Sequence, residues 1–68
     1  MFNRNQSNRD SMRQVSWSDV RPGQVVWMDF NGVVCGPFMV VDPDSRQVRN
    51  MRGVQAVQRM HQDSVMVR

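Results

Sequence analysis

The sequence predicts a small all-β domain, because three features of the chain favour strands over helices. Valine supplies thirteen of the 68 residues, all of them from Val15 onward, and β-branched side chains suit strands better than helices. Both faces of a strand over residues 24–30 would carry apolar side chains, as in a strand that curls across a small core. An Asn-Gly pair follows at once, and such a pair between two apolar runs is a strong hairpin signal. We therefore expect one domain over residues 15–68.

The first 14 residues differ in composition from the rest of the chain. They are dominated by Asn, Gln, Ser and Arg, and their apolar residues are Met1, Phe2 and Met12. So little apolar burial does not offset the entropy that is lost when a chain becomes ordered. The sequence therefore predicts a flexible polar tail over residues 1–14.

A long hairpin is expected at the centre of the domain. Its first strand covers residues 24–30, the turn is Asn31-Gly32, and the return strand covers residues 33–41. Both central residues of a type I′ turn need a positive φ, which Asn and Gly tolerate. Gly36-Pro37 interrupts the return strand, and this pair predicts a bulge or a sharp bend there.

Three shorter elements follow the hairpin. Asp42-Pro43-Asp44-Ser45 has the composition of a turn, and a third strand is expected over residues 46–52. A fourth strand over residues 54–58 competes with a short helix, since Val54, Val57 and Met60 also recur at helical spacing. A closing strand over residues 64–67 follows the polar link at residues 59–63.

This order of elements resembles the small SH3-like barrels. The resemblance covers residues 17–68 and depends on four short motifs: Pro22-Gly23, Asn31-Gly32, Gly36-Pro37-Phe38 and Val65-Met66-Val67. It implies five strands curled into two orthogonal sheets. SH3-like barrels bind peptides, proteins or nucleic acids and include an enzyme family, so the fold alone does not select a function.

Composition excludes several classes of protein. The chain has one cysteine, Cys35, so no internal disulfide can form, and we expect a cytoplasmic protein. No apolar run is long enough to cross a bilayer, so no membrane association is predicted. Leu, Ile, Lys, Glu, Thr and Tyr are all absent, which indicates either a deliberately reduced amino-acid alphabet or an unusual natural composition.

Few residues could carry out catalysis. His61 is the only histidine and is expected to be exposed in the polar link, whereas Cys35 is expected to pack as a small apolar side chain. One histidine and one cysteine cannot form a four-ligand zinc site within one chain. The sequence also contains no phosphate-binding glycine loop and no nucleophile elbow. We therefore predict a protein that is not an enzyme, with no metal and no cofactor.

One enzyme family enters as an alternative. Plasmid-borne type II dihydrofolate reductases are similar in size, have a polar leader before an SH3-like barrel and build one active pore from four copies. Gly53-Val54-Gln55 is similar to part of their Val-Gln-Ile-Tyr segment, but Ala56 and Val57 follow it here. Lysine, which that family uses, is also absent.

Charge is distributed unevenly along the domain and suggests a binding surface. Residues 15–45 hold Arg21 against four aspartates, whereas residues 46–68 hold five arginines against Asp63. Arginine suits contacts with carboxylates and phosphates. The predicted function is a non-catalytic protein interaction module, of the kind that phages and mobile elements encode, that binds an acidic protein partner. The predicted contact residues are Arg46, Arg49, Arg52 and Arg59, with Trp17 as the aromatic anchor.

Two further partners remain open from the sequence. Nucleic acid is the alternative ligand, with Trp17 or Trp27 as a stacking surface beside the arginines. A homodimer formed by pairing of open strand edges is the other open alternative, because a domain of this size buries little surface alone.

Overall fold

The computed structural model describes residues 11–52 and 56–68, which form six antiparallel strands and one short 3₁₀ helix. The helix covers Trp17–Asp19, and no helix in the described residues is long and apolar enough to cross a membrane. The strands in chain order are β1 Arg13–Ser16, β2 Val25–Phe30, β3 Val33–Asp42, β4 Gln47–Asn50, β5 Val57–Arg59 and β6 Ser64–Val67.

The all-β prediction is confirmed, but the prediction of a closed five-stranded barrel is wrong. The strands form one sheet in the order β1-β6-β2-β3-β4-β5, so β1 and β5 are its two ends. Among the described residues these two strands do not pair with each other, and the sheet stays open. The sixth strand is β1, which lies partly in the segment predicted to be a tail.

The tail boundary also differs from the prediction. β1 begins at Arg13, because Arg13 and Gln14 lie opposite Val67 and Met66 of β6 in an antiparallel ladder. The Gln14 amide also donates a hydrogen bond to the Ser64 hydroxyl. Pairing with a distant strand therefore orders polar residues whose own composition disfavours order. Residues 1–10 of the predicted tail lie outside the described residues.

The central hairpin agrees with the prediction. Asn31 and Gly32 have φ values of 53° and 86°, as a type I′ turn requires, and the Asp29 carboxylate accepts a hydrogen bond of 2.6 Å from the Gly32 N–H. The predicted bulge is present: Val26 lies opposite Phe38 and Met28 opposite Cys35, so the single residue Trp27 faces two residues of β3.

The structure also shows the predicted second turn and decides between strand and helix for the fourth predicted element. Asp42 accepts hydrogen bonds from the Asp44 N–H at 3.1 Å and from the Ser45 hydroxyl at 2.9 Å, which closes the predicted turn. The element after β4 is a strand, not a helix, because β5 pairs with β4 along its three residues. Residues 54 and 55 of the predicted strand lie outside the described residues.

The core occupies the inner face of the sheet. Its fully buried side chains come from three separate parts of the sheet and include Val26 of β2, Val48 of β4 and Val65 of β6. Because strands from both halves of one sheet share this cluster, the sheet must curl over it. The opposite face carries exposed side chains, among them Arg49 of β4 and Val57 of β5.

Candidate functional site: the outer face of β4 and β5

Two of the five predicted contact residues, Trp17 and Arg46, form contacts within the fold. Trp17 is 6% exposed, and its indole N–H donates a hydrogen bond of 2.7 Å to the carbonyl oxygen of Gln62. Arg46 donates to the same oxygen from Nη1 at 3.2 Å and forms an ion pair with Asp63 at 3.3 Å. Both side chains thus hold the link before β6 in place. The expectation that Trp17 presents an exposed anchor is therefore wrong.

Arg49 and Arg59 lie on the outer face of the sheet. Arg49 of β4 is opposite Met39 on one side and Val57 on the other. Residues directly opposite in an antiparallel pair share a face, and the inner face at this level is taken by the buried Val48. Arg59 is two residues beyond Val57 and therefore shares its face. The register brings together two arginines that are ten residues apart in sequence.

Arg52 lies beyond the end of β4 and is exposed. Its backbone N–H donates a hydrogen bond of 2.8 Å to the side-chain oxygen of Asn50, which fixes the chain as it leaves the strand. Its position at the end of β4 places it near the Arg49 end of the surface. We call the exposed set Arg49, Arg52 and Arg59 the arginine surface.

The arginine surface carries uncompensated charge. Among residues 11–52 and 56–68, none of its three arginines forms an ion pair. Two carboxylates that are nearby in sequence are engaged elsewhere: Asp42 closes the turn before β4, and Asp63 pairs with Arg46. Exposed apolar groups lie beside this charge, since Val57 is 44% and Met51 42% exposed.

Trp27 forms a contact that the sequence analysis missed. The Arg68 guanidinium carbon lies 4.7 Å from the centre of the Trp27 ring, which is cation–π distance. Trp27 also lies against Gly36, where a Cβ atom would be 2.5 Å from the ring. The contact depends on the pairing of Trp27 with Met66, and no local sequence signal indicates that pairing.

A polar cleft of about 550 Å³ lies at the other end of the sheet and is separate from the arginine surface. Asp29 and Asp63 line it, but Asp63 pairs with Arg46 and Asp29 accepts from Gly32. Within the part of the chain that the structure describes, no three His, Cys, Asp or Glu residues lie close enough to hold a metal ion.

The only histidine and the only cysteine of the chain, His61 and Cys35, belong to no group of metal-binding side chains among the described residues. His61 is exposed, as predicted. Cys35 is half-buried and its thiol points to the carbonyl oxygen of Val33 at 3.8 Å.

Comparison of the chain with protein-family models, with curated proteins and with solved structures found no match.

Proposed function

We propose that this chain is a non-catalytic interaction domain that binds an acidic protein partner through the arginine surface. The observation that supports this proposal is the cross-strand register, in which Arg49 lies opposite Val57 and Arg59 follows two residues later on the same face. Arginine beside exposed apolar side chains is a composition typical of protein interfaces. Within residues 11–52 and 56–68 these arginines form no ion pair. A partner carboxylate that binds them therefore does not have to displace a carboxylate of that part of the chain.

The burial of Trp17 and the contact between Trp27 and Arg68 favour a protein partner over a single-stranded nucleic acid. Binding of single strands relies on aromatic rings on which bases stack. Trp17 is buried, and a face of Trp27 is covered by the Arg68 guanidinium. A base that stacked on that face would have to displace Arg68 first. The alternative is that the arginines bind nucleic acid through phosphate contacts alone, and binding to an oligonucleotide tests it.

We further propose that β2 to β6 are an open form of the SH3-like arrangement, with β1 added beside β6. Support comes from the order of elements: a long bent hairpin, two shorter strands and a terminal strand that returns to β2. A binding role is compatible with this arrangement but does not follow from it.

The experiment compares two double variants of equal net charge. Arg49→Gln/Arg59→Gln removes two charges from the arginine surface, whereas Arg13→Gln/Arg21→Gln removes two exposed charges from other parts of the chain. Binding to poly-L-glutamate and to a random single-stranded oligonucleotide is measured at equal ionic strength. We expect the first variant to bind poly-L-glutamate about tenfold more weakly, equivalent to about 0.7 kcal/mol per arginine. The control variant should stay within about twofold of wild type.

Two results would contradict the proposal. Equal losses in the two variants would mean that net charge alone drives binding. Tighter binding to the oligonucleotide than to poly-L-glutamate at about 150 mM salt would identify nucleic acid as the ligand class.

A further inference from the structure

The strand β5 is one open end of the sheet and borders the arginine surface. It pairs with β4 on one side, and in the described residues no strand lies on its other side. All three of its residues are exposed. A strand in this position presents unpaired backbone groups that another strand can use.

The hydrogen-bonding pattern identifies which backbone groups of β5 point outward. The Met60 N–H donates to the Arg46 carbonyl at 2.9 Å, which places these two residues at a hydrogen-bonded position of the ladder. Such pairs alternate along an antiparallel ladder, and the next one therefore joins Gln58 to Val48. The N–H and C=O groups of Val57 and Arg59 consequently point to the open edge.

The side chains beside these groups define what kind of strand fits. Val57 and Arg59 are on the same face, two residues apart, and Arg49 lies directly behind Val57. An added antiparallel strand places one residue opposite Arg59 and, two positions later, another opposite Val57. A carboxylate at the first position and an apolar side chain at the second complement this edge.

From this geometry we propose that β5 takes up an extended acidic segment of the partner as a seventh, antiparallel strand. The inference rests on the proposed function and names how the partner is held. A second copy of this chain fits the edge less well. Antiparallel pairing of β5 with the β5 of a second copy places both Arg59 side chains on one face. Their Cα atoms are then about 8 Å apart by strand geometry, so the like charges repel.

The test uses the full chain and a capped peptide, Ser-Thr-Asp-Thr-Val-Thr-Ser, which places its aspartate opposite Arg59. Amide hydrogen exchange is followed by NMR with and without about 5 mM peptide. With a Kd of about 1 mM, exchange of the Val57 and Arg59 amides should slow about sixfold, whereas the amides of β1 should not change. A peptide with lysine in place of aspartate should bind at least about fivefold more weakly.

A pair of variants then separates backbone pairing from side-chain contact. Val57→Pro removes an outward N–H that β4 does not use, and Val57→Thr retains it. We expect Val57→Pro to lose peptide binding and Val57→Thr to stay within about threefold of wild type. The exchange measurement on the wild-type chain provides the test even where Val57→Pro does not fold.

Four outcomes would overturn the inference. Unchanged Val57 and Arg59 amides, together with weaker poly-L-glutamate binding by Arg49→Gln/Arg59→Gln, would mean that the edge is not used although the proposed function stands. Retained peptide binding by a folded Val57→Pro variant would have the same meaning. A dimer that Val57→Pro dissociates would identify a second copy as the occupant of the edge. If the arginine variant and the peptide both have no effect, the proposed function itself fails.

Discussion

Replacement of Gly36, at the bulge of β3, by alanine should destabilise the domain more than the same replacement at Gly23 or Gly32. An added Cβ would lie 2.5 Å from Cδ1 and 2.9 Å from Cγ of the Trp27 ring, and 3.1 Å from the carbonyl oxygen of Val26. The first two distances are shorter than carbon atoms tolerate. The clash is not easily relieved, because Cγ is the ring atom bonded to Cβ and so lies close to the backbone of β2.

Two terms contribute to the expected loss of stability. Overpacking costs about 1–3 kcal/mol, and the Gly36 φ of +147° adds about 1–3 kcal/mol for a residue with a side chain. Together they reach about 2–6 kcal/mol, against a total stability of roughly 3–10 kcal/mol for a domain of this size. Urea denaturation followed by circular dichroism measures the change.

A matched glycine provides the control. Gly23 has a φ of +88° and no atom within 4 Å of an added Cβ. Gly23→Ala should therefore lose only the free energy that a side chain costs at a positive φ, about 1–2 kcal/mol. Gly36→Ala should also be milder in a Trp27→Ala background, where the clash is gone. If Gly36→Ala and Gly23→Ala differ in free energy of unfolding by less than about 0.5 kcal/mol, the Trp27 ring does not limit the side chain at position 36.

Two further predictions concern the core and the link before β6. Trp17→Phe removes the hydrogen bond to Gln62 and part of a buried ring. The free energy of unfolding should fall by about 2 kcal/mol, which lowers Tm by roughly 8–16 °C in thermal unfolding. An unchanged Tm would mean that Arg46 alone holds the link before β6 in place. Val26→Ala empties a site that is 0% exposed and should cost about 2 kcal/mol in urea unfolding, whereas the exposed Arg49→Gln should change stability by less than about 0.5 kcal/mol. Similar losses in these two variants would contradict the assignment of inner and outer faces.

The features that the sequence predicts well depend on local backbone chemistry. Asn31 and Gly32 form the expected turn because both residues tolerate the positive φ values that it requires. Gly36 and Pro37 form the expected bulge, since neither supports regular pairing within a central strand. In both cases a few adjacent residues contain all the necessary information.

The features that the sequence predicts poorly depend on distant partners. Arg13 and Gln14 become a strand because β6, about 50 residues later, pairs with them. The sequence predicts Trp17 and Arg46 as partner contacts, yet both donate hydrogen bonds to the Gln62 carbonyl within the fold. Whether an arginine is exposed or engaged in the fold is thus decided by tertiary pairing, which composition and spacing do not contain.

The most direct test of the binding account is to map where poly-L-glutamate contacts the wild-type chain by NMR titration. We expect chemical-shift changes to concentrate on the arginine surface, at Arg49, Arg52 and Arg59 and the neighbouring Val57, and to diminish as salt is raised. Changes centred on the polar cleft near Ser64, or spread evenly over all exposed arginines, would contradict it.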